Sequence, residues 1–242
     1  MARIPAARCR DRGMPTQEMV VKRNNFYFLF SGLLLLLLAE PLLILARGER
    51  AGGLPLLQLA FALTLALAVW SLQDSRRWFR VALLLVALDF ASALSFAATG
   101  RLGFALANAA LMGGFCLVSV GIVLRKVVEG GPVTPSRLVG AACAYMLLGI
   151  LWALAYTVID VLAPGAFNIA ASADVRYEML HLIYFSFVTI TTVGYGDITP
   201  IHPLVRTLAY LEAVTGQLYM AVLVASLVGR HAAGWQEPAP RP

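Results

Sequence analysis

The segment Thr191-Thr192-Val193-Gly194-Tyr195-Gly196-Asp197 alternates glycine with larger residues, opens on hydroxyl side chains and closes on a carboxylate. Such a stretch suits one kind of chemistry, the presentation of a row of oxygens to a cation. A partly dehydrated cation needs oxygens in place of its water, and successive backbone carbonyls supply them if they all point inward. Pointing them the same way demands backbone of alternating handedness. Glycine enters positive φ readily, so Gly194 and Gly196 suit the two positions where a side chain is costly. Thr192 can add its hydroxyl at the inner end. A chance glycine-rich turn is the competing explanation, but a specified five-residue string arises by accident in a chain this long only about once in ten thousand. Other chemistry has no support. There is no phosphate-binding glycine loop followed by Lys and Ser or Thr, no nucleophile elbow and no catalytic pair, so neither an enzyme nor a cofactor is expected. His181, His202 and His231 show no metal-site spacing. Cys9, Cys116 and Cys143 are odd in number, lie where disulfides are not expected and receive no role.

Non-helical backbone is tolerated at membrane depth only where it is buried in protein or lines water, so the segment needs helices around it. The composition supplies them: of 242 residues, 60% are hydrophobic and 13% charged, and mean hydropathy is +0.79. A spanning helix takes roughly 20 apolar residues to cross about 30 Å of hydrocarbon. Six segments qualify, at 26–46, 54–72, 78–98, 103–124, 137–162 and 204–229. The apolar stretch 177–191 is too short to span and is expected to be re-entrant, with Ser172 or Asp174 as its amino-terminal cap. Its carboxyl end would aim the negative end of the helix dipole towards a cation. The fold class expected is therefore an all-α membrane protein of six transmembrane helices, with a re-entrant pore helix and selectivity-filter loop between the fifth and sixth.

Orientation follows from Lys and Arg, which concentrate in cytoplasmic loops. With the amino terminus inside, the outer loops hold only Arg47, Arg50, Arg101, Arg176 and Arg206 of the 19 basic residues. Both termini are thus expected in the cytoplasm, with 191–197 approached from outside. The net charge of +6 reports this orientation and not nucleic-acid binding, and no soluble substrate is implied. Arg far outnumbers Lys and the chain is rich in Ala and Leu, as in proteins of high-GC bacteria, so a multi-pass protein of a bacterial inner membrane is expected. The basic N-terminus 1–25 and the short tail 231–242 would be cytoplasmic.

Thr192-Val193-Gly194-Tyr195-Gly196-Asp197 matches the signature of the potassium-channel family, and Thr189-Ile190-Thr191 precedes it as in many members. The resemblance is close over about the last hundred residues. It implies that the carbonyls of Thr192, Val193, Gly194 and Tyr195 line sites for K+, the permeant ion, with the Tyr195 side chain packed against the pore helix and Asp197 at the outer mouth. Tyr184 and Phe185 stand where the family has an aromatic cuff around the filter, although ordinary packing accounts for them equally. Val188, with Thr189 and Thr191, belongs to the pore-helix support, and valine there departs from bacterial relatives that place a glutamate at this position. One filter strand provides a quarter of a carbonyl ring, so the chain's main partner would be itself, as a homotetramer in the lipid bilayer.

Gly216 lies nineteen residues after Asp197, the family's spacing from filter to hinge glycine. Bending of the inner helix there and close helix packing through a small residue are equally compatible with the sequence. Gln217, Tyr219 and Ala225 face either the cavity or a neighbouring subunit. Six spans with the pore in the last two resemble the six-helix cation channels, whose fourth helix often carries an arginine ladder worth about 2.3 kcal/mol per charge per 100 mV. Here 102–124 contains no basic residue, so voltage gating by that mechanism is not expected. The linker 127–136 is broken by Gly and Pro and looks unfit as a rigid lever. Glu40 and Asp89 are candidate gating acids, weighed against protonated or solvated carboxyls facing the bundle. The expected organisation is a four-helix bundle, 26–126, beside a pore domain, 137–230. A secondary transporter would need inverted repeats or a second interrupted helix, and neither is visible. A non-conducting auxiliary subunit would have no need of an intact filter.

Overall fold

The computed structural model describes residues 25–47, 76–128, 134–169 and 175–234. In chain order these form α1 (Asn25–Arg47), α2 (Arg76–Thr99), α3 (Leu102–Val128), α4 (Pro135–Leu162), β1 (Phe167–Asn168), α5 (Val175–Ile190), β2 (Thr199–Pro200) and α6 (Pro203–Gly234). The expected span 54–72, the cap candidates Ser172 and Asp174, and residues 129–133 of the 127–136 linker lie outside the described residues.

The apolar blocks become helices much as their hydropathy predicts, and the differences sit at charged ends. α3 continues past 124 through Arg125 and Lys126, and α6 continues past 229 through Arg230. Backbone hydrogen bonding does not stop where hydropathy does. Proline opens both α4 and α6 at the first helical position, where its missing N–H costs nothing. At α6 the imidazole Nδ1 of His202 also accepts the Leu204 N–H at 3.2 Å. Among the described residues, three helices are long and apolar enough to cross a membrane: Leu102–Arg125, Pro135–Leu162 and Pro203–Ser226. The apolar runs Phe26–Leu38 and Leu83–Phe96 of α1 and α2 are shorter. In α2 the first turns carry Arg76, Arg77 and Arg80.

α4 is the hub, packing against α1, α3, α5 and α6, while α2 packs on α3. Glycines set two of these approaches. A Cβ on Gly140 would stand 2.9 Å from the Phe26 ring of α1, and one on Gly149 would stand 3.2 Å from the Phe187 ring of α5. One apolar core joins α1, α3 and α4 through Leu29, Leu33, Cys116, Val123, Leu147 and Ile150. A second lies beside the 191–197 segment and joins Tyr156, Phe167, Leu182, Phe185, Ile198 and Val205. Its aromatic centre is a set of edge-on contacts among Tyr156, Phe167 and Phe185, with centroids 5.2 to 5.6 Å apart. Burial of this aromatic surface helps hold α5 against α4 and α6.

β1 and β2 are a two-residue antiparallel pair, Phe167 opposite Pro200 and Asn168 opposite Thr199. The Ala166 carbonyl also accepts the N–H groups of Ile201 and His202 at 2.9 and 3.1 Å. These bonds tie the chain leaving 191–197 to the chain leaving α4.

Candidate functional site: the 191–197 loop and its supports

α5 ends at Ile190, and the next residues form its cap. The Val193 N–H donates to the Val188 carbonyl at 3.0 Å and the Thr192 N–H to the Thr189 carbonyl at 2.9 Å. This six-to-one, five-to-two pair of bonds is a Schellman motif, which needs a left-handed residue at its turn. That residue is Thr192, with φ of +60°. Gly194 at +59° and Gly196 at +79° continue the pattern, so positive φ recurs at every second residue from 192 to 196. Handedness therefore alternates through the loop as carbonyl alignment requires. The Gly194 N–H also reaches the Val188 carbonyl, at 3.2 Å.

Gly194 and Gly196 occupy the conformations expected of them, and Thr192 was not anticipated among them. A β-branched residue in the left-handed region costs of order 1–3 kcal/mol and persists only where its surroundings hold it. Glycine would be the ordinary choice at this cap, so the threonine side chain is retained against local preference. Its Oγ1 accepts a hydrogen bond from the Gln217 side-chain amide of α6 at 3.2 Å. The Thr191 hydroxyl, by contrast, turns back to the Phe187 carbonyl at 2.5 Å, within α5.

At the other end of the loop the Tyr184 hydroxyl donates to Asp197 Oδ2 at 2.8 Å. That bond holds the Asp197 carboxyl below the usual carboxylate range, with backbone N–H groups of Asp197 and Ile198 adding to it. Tyr184 and Phe185 are adjacent but do different work: Tyr184 reaches the loop, and Phe185 is buried in the aromatic core.

Behind the loop, α4 and α6 grip α5 through groups that sequence reading passed over. Glu212 of α6 is wholly buried and accepts hydrogen bonds from Tyr156 of α4, at 2.6 Å, and from Ser186 of α5, at 2.5 Å. The Ser186 hydroxyl also lies 2.7 Å from the Gly149 carbonyl. One carboxyl thus joins all three helices. Lower down, the Tyr145 hydroxyl donates to the Ile190 carbonyl at 2.9 Å. A Cβ on Gly216 would fall 2.3 Å from that same carbonyl oxygen. Gly216 is therefore where α6 lies directly on the end of α5. Tyr219 packs its ring on Tyr145, with centroids 5.4 Å apart, and donates to the Ala141 carbonyl at 2.6 Å. Of the three residues whose facing was open, Tyr219 turns onto α4, Gln217 onto the loop, and Ala225 is exposed.

Asp89 is buried, and the Asn108 side-chain amide donates to its carboxylate at 3.1 Å across the α2–α3 contact. It lies remote from the loop in sequence and in packing. Glu40 falls within α1, and its side chain lies outside the described residues. Among the described residues no group of three His, Cys, Asp or Glu side chains is placed to hold a metal ion. Cation binding by the loop would therefore rest on backbone oxygens, with a hydroxyl and a carboxylate at its ends.

Residues 156–230, which contain the end of α4, α5, the loop and most of α6, match the family described as ion channel. The chain is similar to the inward rectifier potassium channel Kirbac3.1 of Paramagnetospirillum magnetotacticum, at 37% identity over 36% of this chain and 26% of that protein. It is also similar to the two pore potassium channel c of Oryza sativa subsp. japonica, at 31% identity over 35% of this chain and 19% of that protein. The chain thus spans about a quarter or less of the length of these curated relatives. No solved structure matches. The matches support the potassium-channel resemblance and point to a channel and not to an enzyme.

Proposed function

We propose that this chain is one subunit of a homotetrameric, potassium-selective channel that conducts K+ passively through a filter of backbone carbonyls. The observation that carries the proposal is the recurrence of positive φ at Thr192, Gly194 and Gly196, the alternation of handedness that carbonyls facing one way require. Thr192, Val193, Gly194 and Tyr195 supply the ion-lining carbonyls, and Gly196 and Asp197 complete the filter. Tyr184, Phe185, Val188, Thr189 and Thr191 support it from α5, which acts as the re-entrant pore helix. α4 is the outer helix and α6 the inner helix of a pore domain from about 137 to 230. Residues 26–126 would make a peripheral bundle of four spans without an arginine ladder, the one expected at 54–72 lying outside the described residues, and bring the spans to six.

Assembly with further copies is supported by what one chain leaves uncovered. Residues 191–197 are all exposed. Only 11% of the apolar window of α6 is buried, against 50% in α4. Tyr210, Leu211, Val214, Leu218, Val222 and Val228 of α6 stand open. A helix so apolar needs lipid or neighbouring copies over most of its face. Glu40 and Asp89 remain candidate gating acids, and Gly216 a candidate hinge. Purified protein in liposomes tests the proposal: potassium flux should greatly exceed sodium flux and should fall sharply in Gly194→Ala, where a Cβ is forced into positive φ. Equal fluxes of the two ions, or flux indifferent to Gly194→Ala, would contradict it.

A further inference from the structure

The strained Thr192 and the glutamine that reaches it stand at the inner end of the proposed filter. Gly216 lets the backbone of α6 touch the last carbonyl of α5, because no Cβ stands between them. The residue that follows is thereby delivered beside the helix cap. Its Nε2–H bonds Thr192 Oγ1 at 3.2 Å, joining α6 to the cap of α5 through residues 25 positions apart. Thr192 itself is held left-handed by the cap bonds to Thr189 and Val188. Its hydroxyl is therefore set from two sides, by the backbone turn and by the amide of Gln217.

We infer that Gln217 is a positioning and specificity-determining residue, which acts through the Thr192 hydroxyl on the innermost cation site of the filter. This rests on the reading of 192–197 as a potassium filter. A threonine hydroxyl has two lone pairs and one proton. An N–H donated into one lone pair leaves the other for a cation and removes the hydroxyl's freedom to rotate. The same donation withdraws electron density from the oxygen. Field strength of the coordinating oxygens is one determinant of the choice between K+ and Na+, and a weaker field favours the larger ion. Without the amide, Oγ1 gains field strength and rotates, and both changes ease entry of Na+.

The test uses the full chain reconstituted in liposomes, with assembly checked by size-exclusion chromatography, and reads the K+ to Na+ flux ratio. Gln217→Met keeps side-chain length but removes the donor, and Gln217→Leu serves as a second route to the same loss. Either variant should conduct with a ratio lowered roughly threefold to tenfold, the factor one neutral hydrogen bond is worth. Thr192→Val, which removes the hydroxyl but keeps the branch, should lower the ratio at least as far. Adding Gln217→Met to Thr192→Val should lower it no further, since the amide then has nothing to act through. An unchanged ratio in both Gln217 variants would overturn the inference, as would losses that multiply in the double variant. A wild-type protein with no potassium preference would instead bring down the filter reading itself, before any variant is compared.

Discussion

At the scale of single residues, Asp197 and Thr192 show how neighbours set what a residue of the 191–197 loop can do. The Tyr184 hydroxyl favours the charged form of Asp197 and so depresses its pKa. A carboxyl depressed in this way contributes stability that is present above its unfolded pKa, about 3.9, and lost as pH falls through the lower folded value. Asp197 should therefore keep its negative charge into solutions more acidic than an ordinary aspartate tolerates. Tyr184→Phe removes the first cause of the shift, so the acid midpoint of potassium conductance should move upward. Conductance measured against external pH in both proteins checks this, and identical midpoints would refute it. The two glycines of the loop were legible because only glycine enters positive φ without cost. Thr192 was not, because a β-branched residue in that region contradicts its own preference. The conflict is visible only once the cap bonds of α5 are known.

At the scale of elements, the loop is held by α4, α5 and α6 through side chains whose sequence context gives no sign of partnership. Glu212 lies in an apolar helix 56 residues from Tyr156 and 26 from Ser186. Hydropathy alone would send it to a lumen or to lipid headgroups. Glu212→Leu should orphan the Tyr156 hydroxyl, while Ser186 keeps the Gly149 carbonyl. The expected loss is about 1–3 kcal/mol for one buried unsatisfied hydroxyl. Tyr156→Phe added to Glu212→Leu should recover much of that, a non-additivity that a double-mutant cycle on thermal unfolding would measure. Gly216 gives a second contrast at this scale. Spacing from the filter pointed equally to a hinge and to close packing, and the contact with the Ile190 carbonyl gives packing a definite geometry. In a bare helix, Gly→Ala stabilises by about 1 kcal/mol. Here Gly216→Ala should destabilise the assembled protein by about 1–3 kcal/mol, as overpacking against backbone does. Unfolding temperatures that rise in this variant would show that the contact is not maintained in the membrane.

For the whole molecule, the sequence was most informative where one physical requirement dominates. Long apolar blocks must become helices in lipid, and α1, α2, α3, α4 and α6 lie within a few residues of the expected 26–46, 78–98, 103–124, 137–162 and 204–229. The short helix expected at 177–191 is Val175–Ile190. What patterning could not convey was which helix is central. α4 takes that place because small residues at Gly140 and Gly149 admit aromatic rings from α1 and α5, a relation between distant segments that no local period encodes. The family match covers residues 156–230, from the end of α4 through most of α6.

Potassium selection by the backbone carbonyls of 192–195, as proposed, can be read from the reversal potential of the purified protein in a planar bilayer, with potassium on one side and sodium on the other. A large potential of the sign that potassium permeation requires is expected. A reversal potential near zero, with current flowing, would contradict it.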